Sequence, residues 1–579
     1  MRRIIQRRAP RCDPAGLPAE LHPLLRRIYA ARGLEDPAQL ELSLERLIPP
    51  QRLGGVKRAV DLLQQALIEQ QRLLIVGDFD ADGATSTALC MRALRSMGLA
   101  QIDYLVPNRF DFGYGLTPEL VEVAAGRGPD LILTVDNGVS SIEGVAAARA
   151  LGIRVLVTDH HLPGERLPAA DALVNPNLPG DDFPSKHLAG VGVAFYLMLA
   201  LRARLRDSGW FSAAGIAEPN LAALLDLVAL GTVADVVPLD HNNRILVEQG
   251  LRRIRAGRCV PGIRALLEVA RRSPVALQAS DLGFAVGPRL NAAGRLEDMA
   301  LGIECLLCDD PDAARGMAAE LDALNRERRE IEAGMKAEAL AELERVQRQA
   351  PETLPTGVCL YRPEWHQGVI GILAARVREA WHRPVIAFAR SGTGELKGSA
   401  RSVPGLHIRD ALEAVAAREP GLIPRFGGHA MAAGLSLREA DLETFRTAFD
   451  AEVRRHLGPD DLRGVIHSDG ELAPDALNME TAELLRGAGP WGQAFPEPVF
   501  DGVFELRSWR LLKDAHLKLQ LRPRGGSVTL DAIAFNQADA IEPREGMRLE
   551  IAYRLDINDY RGLRSLQLMV EYLREGPAA

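Results

Sequence analysis

Leu73-Leu74-Ile75-Val76-Gly77-Asp78-Phe79-Asp80-Ala81-Asp82-Gly83 joins an apolar run to three carboxylates at alternate positions. The run reads as a buried strand. Three acids crowded at its end raise one another's pKa. Bound cations relieve that repulsion, and oxygen-rich clusters suit Mg²⁺ or Mn²⁺. A solvated acidic turn before a helix is the competing reading, since Asp also favours turns and helix N-termini.

Two further apolar runs end in the same way. Leu131-Ile132-Leu133-Thr134-Val135 leads into Asp136-Asn137-Gly138, and Val155-Leu156-Val157-Thr158 leads into Asp159-His160-His161. Between the runs lie Ala- and Leu-rich helical stretches such as 84–97 and 142–151, so strands and helices alternate and a parallel sheet is expected. In such a sheet the carboxyl ends of the strands share one edge, where ligands bind. Asp78, Asp80, Asp82, Asp136, Asp159, His160 and His161 therefore converge on one site. Asp235, in Gly231-Thr232-Val233-Ala234-Asp235, is a further acid among small and apolar residues. It needs either a metal or a basic partner. The set suffices for two divalent ions, an arrangement that suits in-line phosphoryl chemistry.

The rest of the chain sorts into blocks. Residues 1–50 form an Arg- and Pro-rich N-terminal segment with a helical stretch over 18–31. Residues 51–310 hold the α/β domain and a helical C-terminal part; 311–350 read as one long charged connecting helix, with Gly316 and Gly334 its only glycines and room for a single break. Residues 351–460 form a smaller α/β domain, and 461–579 alternate as short strands of a β-barrel, of which the OB-fold is the common nucleic-acid-binding type. The fold class is thus α/β, with two α/β domains, a connecting helix and a C-terminal barrel.

Composition sets the outer bounds. The chain has 579 residues, 47% of them hydrophobic and 25% charged, with a net charge of −8. That charge calls for metal ions or a local basic groove to meet a polyanion. No apolar run is long enough to span a membrane. The six cysteines and the absence of an apolar leader point to the cytoplasm. Cys305 and Cys308 lack a second pair at zinc spacing and read as packing residues.

Taken together, the segments Asp78–Gly83, Asp136–Gly138, Asp159–His161 and Asp235 resemble motifs I to IV of the DHH phosphoesterase superfamily. His366–Gly371, Gly398–Ser402 and Gly427–Gly434 resemble its DHHA1 domain. Length, motif order and the β-rich C-terminus place the chain near the bacterial exonucleases of that superfamily. The resemblance implies a 5′→3′ exonuclease that degrades single-stranded DNA to mononucleotides with Mn²⁺ or Mg²⁺, working in repair and recombination. It implies Asp78, Asp80, Asp82, Asp136, His160 and Asp235 as metal residues, His161 beside the scissile phosphate, and Asp159 orienting His160 or supporting the loop. Single-strand-binding protein and a helicase are the partners it suggests. Type II inorganic pyrophosphatases, by contrast, place a histidine just before the motif I acids. Here Leu74 and Val76 stand there, and the nearest upstream histidine is His22.

A 5′-phosphate is met by Arg forks and hydroxyls. The resemblance favours Arg109, Ser399 and Arg401 for it, with Arg289 or Arg295 assisting. Gly427, Gly428 and His429 offer close backbone approach. Tyr114, Phe110 and Phe112 are candidates for base stacking. In the barrel, Trp491, Arg507, Arg510, Lys513, Lys518, Tyr560 and Arg561 are candidate strand contacts. Two other readings compete: a phosphodiesterase of short oligonucleotides or cyclic dinucleotides, and a non-catalytic single-strand-binding scaffold. The first needs no barrel, and the second predicts lost motif acids.

Overall fold

A computed structural model describes residues 3–108, 112–349, 354–392, 394–560 and 562–577. Arg109, Phe110 and Arg561 lie outside the described residues. The chain divides into two compact units: one joins Arg7–Asn325 to the residues from Ser468 onward, and the other joins Arg326–His467 to the N-terminal residues through Gln6.

In the first unit the described elements that shape the site are β1 (Leu73–Val76), α1 (Ala81–Ser96), β2 (Ile102–Leu105), β3 (Leu131–Val135), β4 (Arg154–Thr158), β5 (Ala172–Val174), α2 (Gly190–Asp207), α3 (Leu225–Ala234) and α4 (Gly287–Leu296). The strands are parallel and stand in the order β2-β1-β3-β4-β5. Every residue of β1 and β3 is buried, which is why both read as unbroken apolar runs: the sheet is covered on both faces. The chain leaves β1 toward one edge and returns to β3 on the other side. That reversal opens a crevice at the carboxyl ends of β1 and β3, the usual ligand position of such sheets. Edge strand β2 escapes the sequence reading because only Ile102 of its four residues is buried.

The helices that carry site residues are packed unusually deep. Along α1, Thr85, Ser86 and Thr87 are fully buried. Thr85 and Thr87 turn their hydroxyls back to the carbonyls of Ala81 and Gly83, which satisfies them inside the helix. In α3, the residues from Leu225 to Thr232 are all buried. The N-terminal helix begins at Pro23, with His22 as its cap, five residues later than expected.

The long helix α5 (Pro311–Gln349) runs 39 residues without a break. Gly316 and Gly334 sit in open space; one exposed glycine costs about 1 kcal/mol, too little to interrupt a helix of that length. In the second unit, β6 (Val358–Tyr361), α6 (Ile370–Trp381), β7 (Val385–Arg390), β8 (Glu395–Arg401), β9 (Arg425–Gly428) and β10 (Ala432–Arg438) build a sheet of order β9-β10-β8-β7-β6. Only β6 and β7 run parallel; the other pairs are antiparallel.

The C-terminal strands β11 (Phe500–Leu512), β12 (His516–Pro523), β13 (Leu530–Ala534), β14 (Arg548–Tyr560) and β15 (Leu563–Glu575) close into a barrel of order β11-β12-β13-β15-β14. The barrel belongs to the first unit and does not stand apart. Arg32 pairs with Asp469, both side chains 1% exposed. Tyr29, Trp491 and Phe495 stack beside that pair. Trp491 is thus part of an internal contact, its Nε1 donating to Leu485 O at 3.1 Å, and is not a strand-facing side chain. Arg507 and Lys518 are paired with Glu505 and Asp531. Among the described residues no helix is long and apolar enough to cross a membrane. All six cysteines are free; Cys305 is buried and Cys308 half-buried against the core.

Candidate metal centre and phosphate clamp

The ends of β1, β3 and β4 bring the acids together as the parallel sheet requires. Three sets of donor atoms lie within 4.8 Å of one another: Asp78, Asp80 and Asp136; Asp82, His160 and Asp235; Asp136, His160 and His161. His160 Nε2 stands 3.1 Å from Asp136 Oδ1 and 3.4 Å from Asp235 Oδ2. Asp136 Oδ1 is buried and accepts no hydrogen bond among the described residues. Two acids and an imidazole nitrogen thus face one point, an arrangement that a cation stabilises.

The carboxylates titrate accordingly. Burial, then the charges of Asp82 and Asp80, push Asp136 well above the ordinary carboxylate range. Burial and the same two neighbours do so for Asp235. Burial and Asp80 raise Asp82 to about 7. Crowding of this kind, with acids outnumbering the two histidines His160 and His161 beside them, fits a divalent ion. The donor set, mostly carboxylate oxygen with imidazole nitrogen, fits Mn²⁺ or Mg²⁺.

Backbone geometry holds each acid in place. Asp80 caps α1, its Oδ1 accepting the amides of Asp82 and Gly83. Asp82 accepts the amides of Gly190 and Val191 at 2.6 and 3.0 Å, so it ties α1 to the start of α2. Asp136 turns out of β3 with a left-handed φ of 63°, a strained position typical of functional sites. Gly190 must be small: a Cβ there would stand 2.6 Å from the Asp136 side chain. Gly231 is constrained likewise by Asp82 and Thr85.

Asp159 was expected to orient His160 or support the loop. Its Oδ1 lies 2.7 Å from His161 Nδ1 and also accepts the His160 and His161 amides; its Oδ2 accepts the Val139 amide. It therefore supports the loop through these amides, and the ring that it orients is that of His161. Burial lowers the His161 pKa, but the Asp159 bond and the surrounding carboxylates outweigh it and leave the ring more basic than usual. Tyr114, a candidate for base stacking, is 46% exposed and also borders His161. Its hydroxyl lies 3.1 Å from His161 Nδ1 and 3.3 Å from Nε2, and donates to Asp136 O. Phe112 packs on the core.

Three supports were not foreseen. Asn291 of α4 accepts the Ala81 amide at 2.7 Å and so braces motif I. Asn175 and Asn177 donate to the carbonyls of His161 and His160. The Asn291-Ala292-Ala293-Gly294 run and the Asn175-Pro176-Asn177 turn were the only signals. Arg289 does not present a free fork: it is buried and held by Asp322 and Ala285 O. Arg295 lies half-buried in the last turn of α4.

In the second unit, Ser399 and Arg401 alternate on β8 and share a face. Arg401 Nη1 donates to Ser399 Oγ at 3.1 Å. The first turn of α6 abuts them: a Cβ at Gly371 would lie 3.1 Å from both Ser399 Oγ and Arg401 Nη2. Burial and the Arg378 charge hold Arg401 below the ordinary arginine value. Among the described residues no carboxylate stands within ion-pair distance of it. Gly428 and His429 form the neighbouring hairpin, with φ 143° at Gly428 and the His429 amide on Ala432 O.

The family model described as the DHH family, N-terminal domain matches residues 72–232; the DHHA1 domain matches 355–455, and the RecJ OB domain matches 468–572. Fold and site thus define a phosphoesterase of the DHH/DHHA1 superfamily. The single-stranded-DNA-specific exonuclease RecJ of Escherichia coli is 60% identical over 99% of this chain and 99% of its own length. That of Thermus thermophilus is 34% identical over 95% of this chain and 75% of its own. A crystal structure of the Thermus thermophilus RecJ in complex with Mn²⁺ covers 96% of this chain and 77% of that one, at TM-score 0.77 and 33% identity. The chain belongs to the RecJ family of single-stranded-DNA-specific exonucleases.

Proposed function

We propose that this chain is a metal-dependent 5′→3′ exonuclease that degrades single-stranded DNA to 5′-mononucleotides in repair and recombination. The observation that carries the reading is the gathering of His160 Nε2, Asp136 Oδ1 and Asp235 Oδ2 at one buried point. Asp78, Asp80, Asp136, His160 and Asp235 would hold two ions, with Asp82 facing them while it anchors α2. Bound Mn²⁺ or Mg²⁺ supplies positive charge at the reacting phosphate and a more acidic water.

The chain's own residues do the rest. His161, oriented by Asp159 and bordered by Tyr114, faces the scissile phosphate, and its raised basicity lets it keep a proton for a phosphate oxygen. Ser399, Arg401, the start of α6 and the Gly428 hairpin form a clamp for a terminal 5′-phosphate. A guanidinium without a carboxylate partner and a helix N-terminus both favour an anion. Selection of an end then gives direction to the cutting.

The barrel extends the grip on a long strand, which a phosphodiesterase of short substrates does not need. Single-strand-binding protein and a helicase are the partners this reading suggests, and the free thiols suit a reducing cytoplasm. The test is digestion of a long strand labelled at each end in turn, with Mn²⁺. Mononucleotides should leave from the 5′ end, faster when it is phosphorylated, with a matched duplex resistant. Release from the 3′ end, or equal digestion of duplex, would contradict the proposal.

A further inference from the structure

One aromatic ring stands almost wholly in solvent on a turn packed against the helix that ends in Asp235. Phe284 is 81% exposed, more than any other large apolar side chain among the described residues. It forgoes the burial that a phenylalanine normally gains. It lies in a single π-helical turn, Leu282–Val286, whose Leu282, Ala285 and Val286 are buried. Such turns admit one extra residue and recur at functional sites; this one points the ring outward while its neighbours anchor the backbone.

The turn is seated on the element that ends in Asp235. A Cβ at Gly283 would lie 3.2 Å from Val233 Cγ1, and one at Gly287 would lie 3.1 Å from Ala234 Cβ. Val236 follows Asp235 with a left-handed φ of 62° and bonds back to Val233 O. It is 61% exposed. The turn that carries Phe284 is thus seated on Val233 and Ala234, directly before Asp235, and the exposed Val236 follows that acid. Farther along, α4 is fixed to motif I by Asn291 on Ala81 and by Gly294, where a Cβ would meet Phe79 O at 1.9 Å. The exposed ring is therefore carried on a support attached to both sides of the site.

We propose that Phe284 is a base-stacking residue: its ring packs on a base of the single strand next to the phosphate at the Asp136, His160 and Asp235 cluster and holds the strand in register for each cut. Stacking on an aromatic ring is tolerant of sequence, as a nuclease without sequence preference requires. A base inside a duplex is covered on both faces, so the same contact favours single strands. The assignment rests on the hydrolytic reading of the cluster given above.

The test compares wild type, Phe284→Ala and Phe284→Trp on a 5′-phosphorylated strand and on the same strand with a run of abasic nucleotides, with Mn²⁺. On the base-bearing strand the alanine variant should raise KM about tenfold, within the range for losing one stacked base; the tryptophan variant should stay within about twofold of wild type. On the abasic run wild type and alanine variant should have equal KM. Mn²⁺ affinity should be the same for all three proteins, which separates stacking from damage to the fold. A wild-type KM for the alanine variant, an equal loss on the abasic run, failure of tryptophan to restore binding, or altered Mn²⁺ affinity would each overturn the assignment. A wild type that releases no mononucleotide would overturn the hydrolytic reading and the stacking role with it. Wild-type turnover with an unaffected alanine variant removes the stacking role alone.

Discussion

Both carboxylate oxygens of Asp159 are engaged, Oδ2 by the Val139 amide and Oδ1 by two amides and His161 Nδ1. Asp159→Asn would set an NH₂ group against one of those donors and loosen the ring. We expect kcat to fall about 100-fold with KM little changed, a loss in the range for a mispositioned acid–base group; steady-state kinetics on a single-stranded substrate check this. The crowded acids make a second prediction. Asp82, raised from 3.8 to about 7, and Asp136 and Asp235, raised well above that ordinary value, bind protons more tightly folded than unfolded. The contribution of Asp82 to stability is complete below about pH 4 and is lost as pH rises through about 7; those of Asp136 and Asp235 are lost in the same direction, on rising pH. Divalent ions replace those protons. The rise in Tm on adding Mn²⁺ should therefore grow between pH 5 and 8, measured by calorimetry on metal-stripped protein; a constant rise would contradict it. At this scale the acids were legible because each follows an apolar run. Which histidine Asp159 serves was not, because neighbouring residues past a strand end point to different sides. Tyr114 and His161 meet across 47 positions, a contact no local pattern announces.

At the scale of elements, the site depends on how closely helix N-termini approach strand ends. The start of α2 lies against Asp136 and Asp82 only because residue 190 is glycine. Gly190→Ala would place a methyl group 2.6 Å from the Asp136 side chain. We expect a stability loss of about 1–3 kcal/mol from the forced shift and at least a tenfold loss of Mn²⁺ affinity, read by urea unfolding and metal titration. Unchanged metal affinity would show that Asp136 has room to move. The buried strands were legible from their apolar runs, β2 was not because it is an edge strand, and α5 proved tolerant of both its glycines. Arg289 looked available beside Arg295 in sequence. In the fold it joins α4 to Asp322 of α5, and only tertiary structure discloses that pairing.

For the whole molecule, the order of blocks was legible and their grouping was not. The barrel shares a unit with the sheet through Arg32 and Asp469, which are 437 positions apart. Neither residue carries a motif, and a buried ion pair is legible only once both partners are placed. We propose that the ends of β1, β3 and β4, with Asp235, form a two-ion hydrolytic site. Anomalous scattering at the manganese edge, from crystals of this chain grown with Mn²⁺, tests it most directly. Two peaks are expected among Asp78, Asp80, Asp136, His160 and Asp235, and their loss in Asp136→Ala together with nuclease activity. An active protein with no peak there, or with full activity after Asp136→Ala, would contradict it.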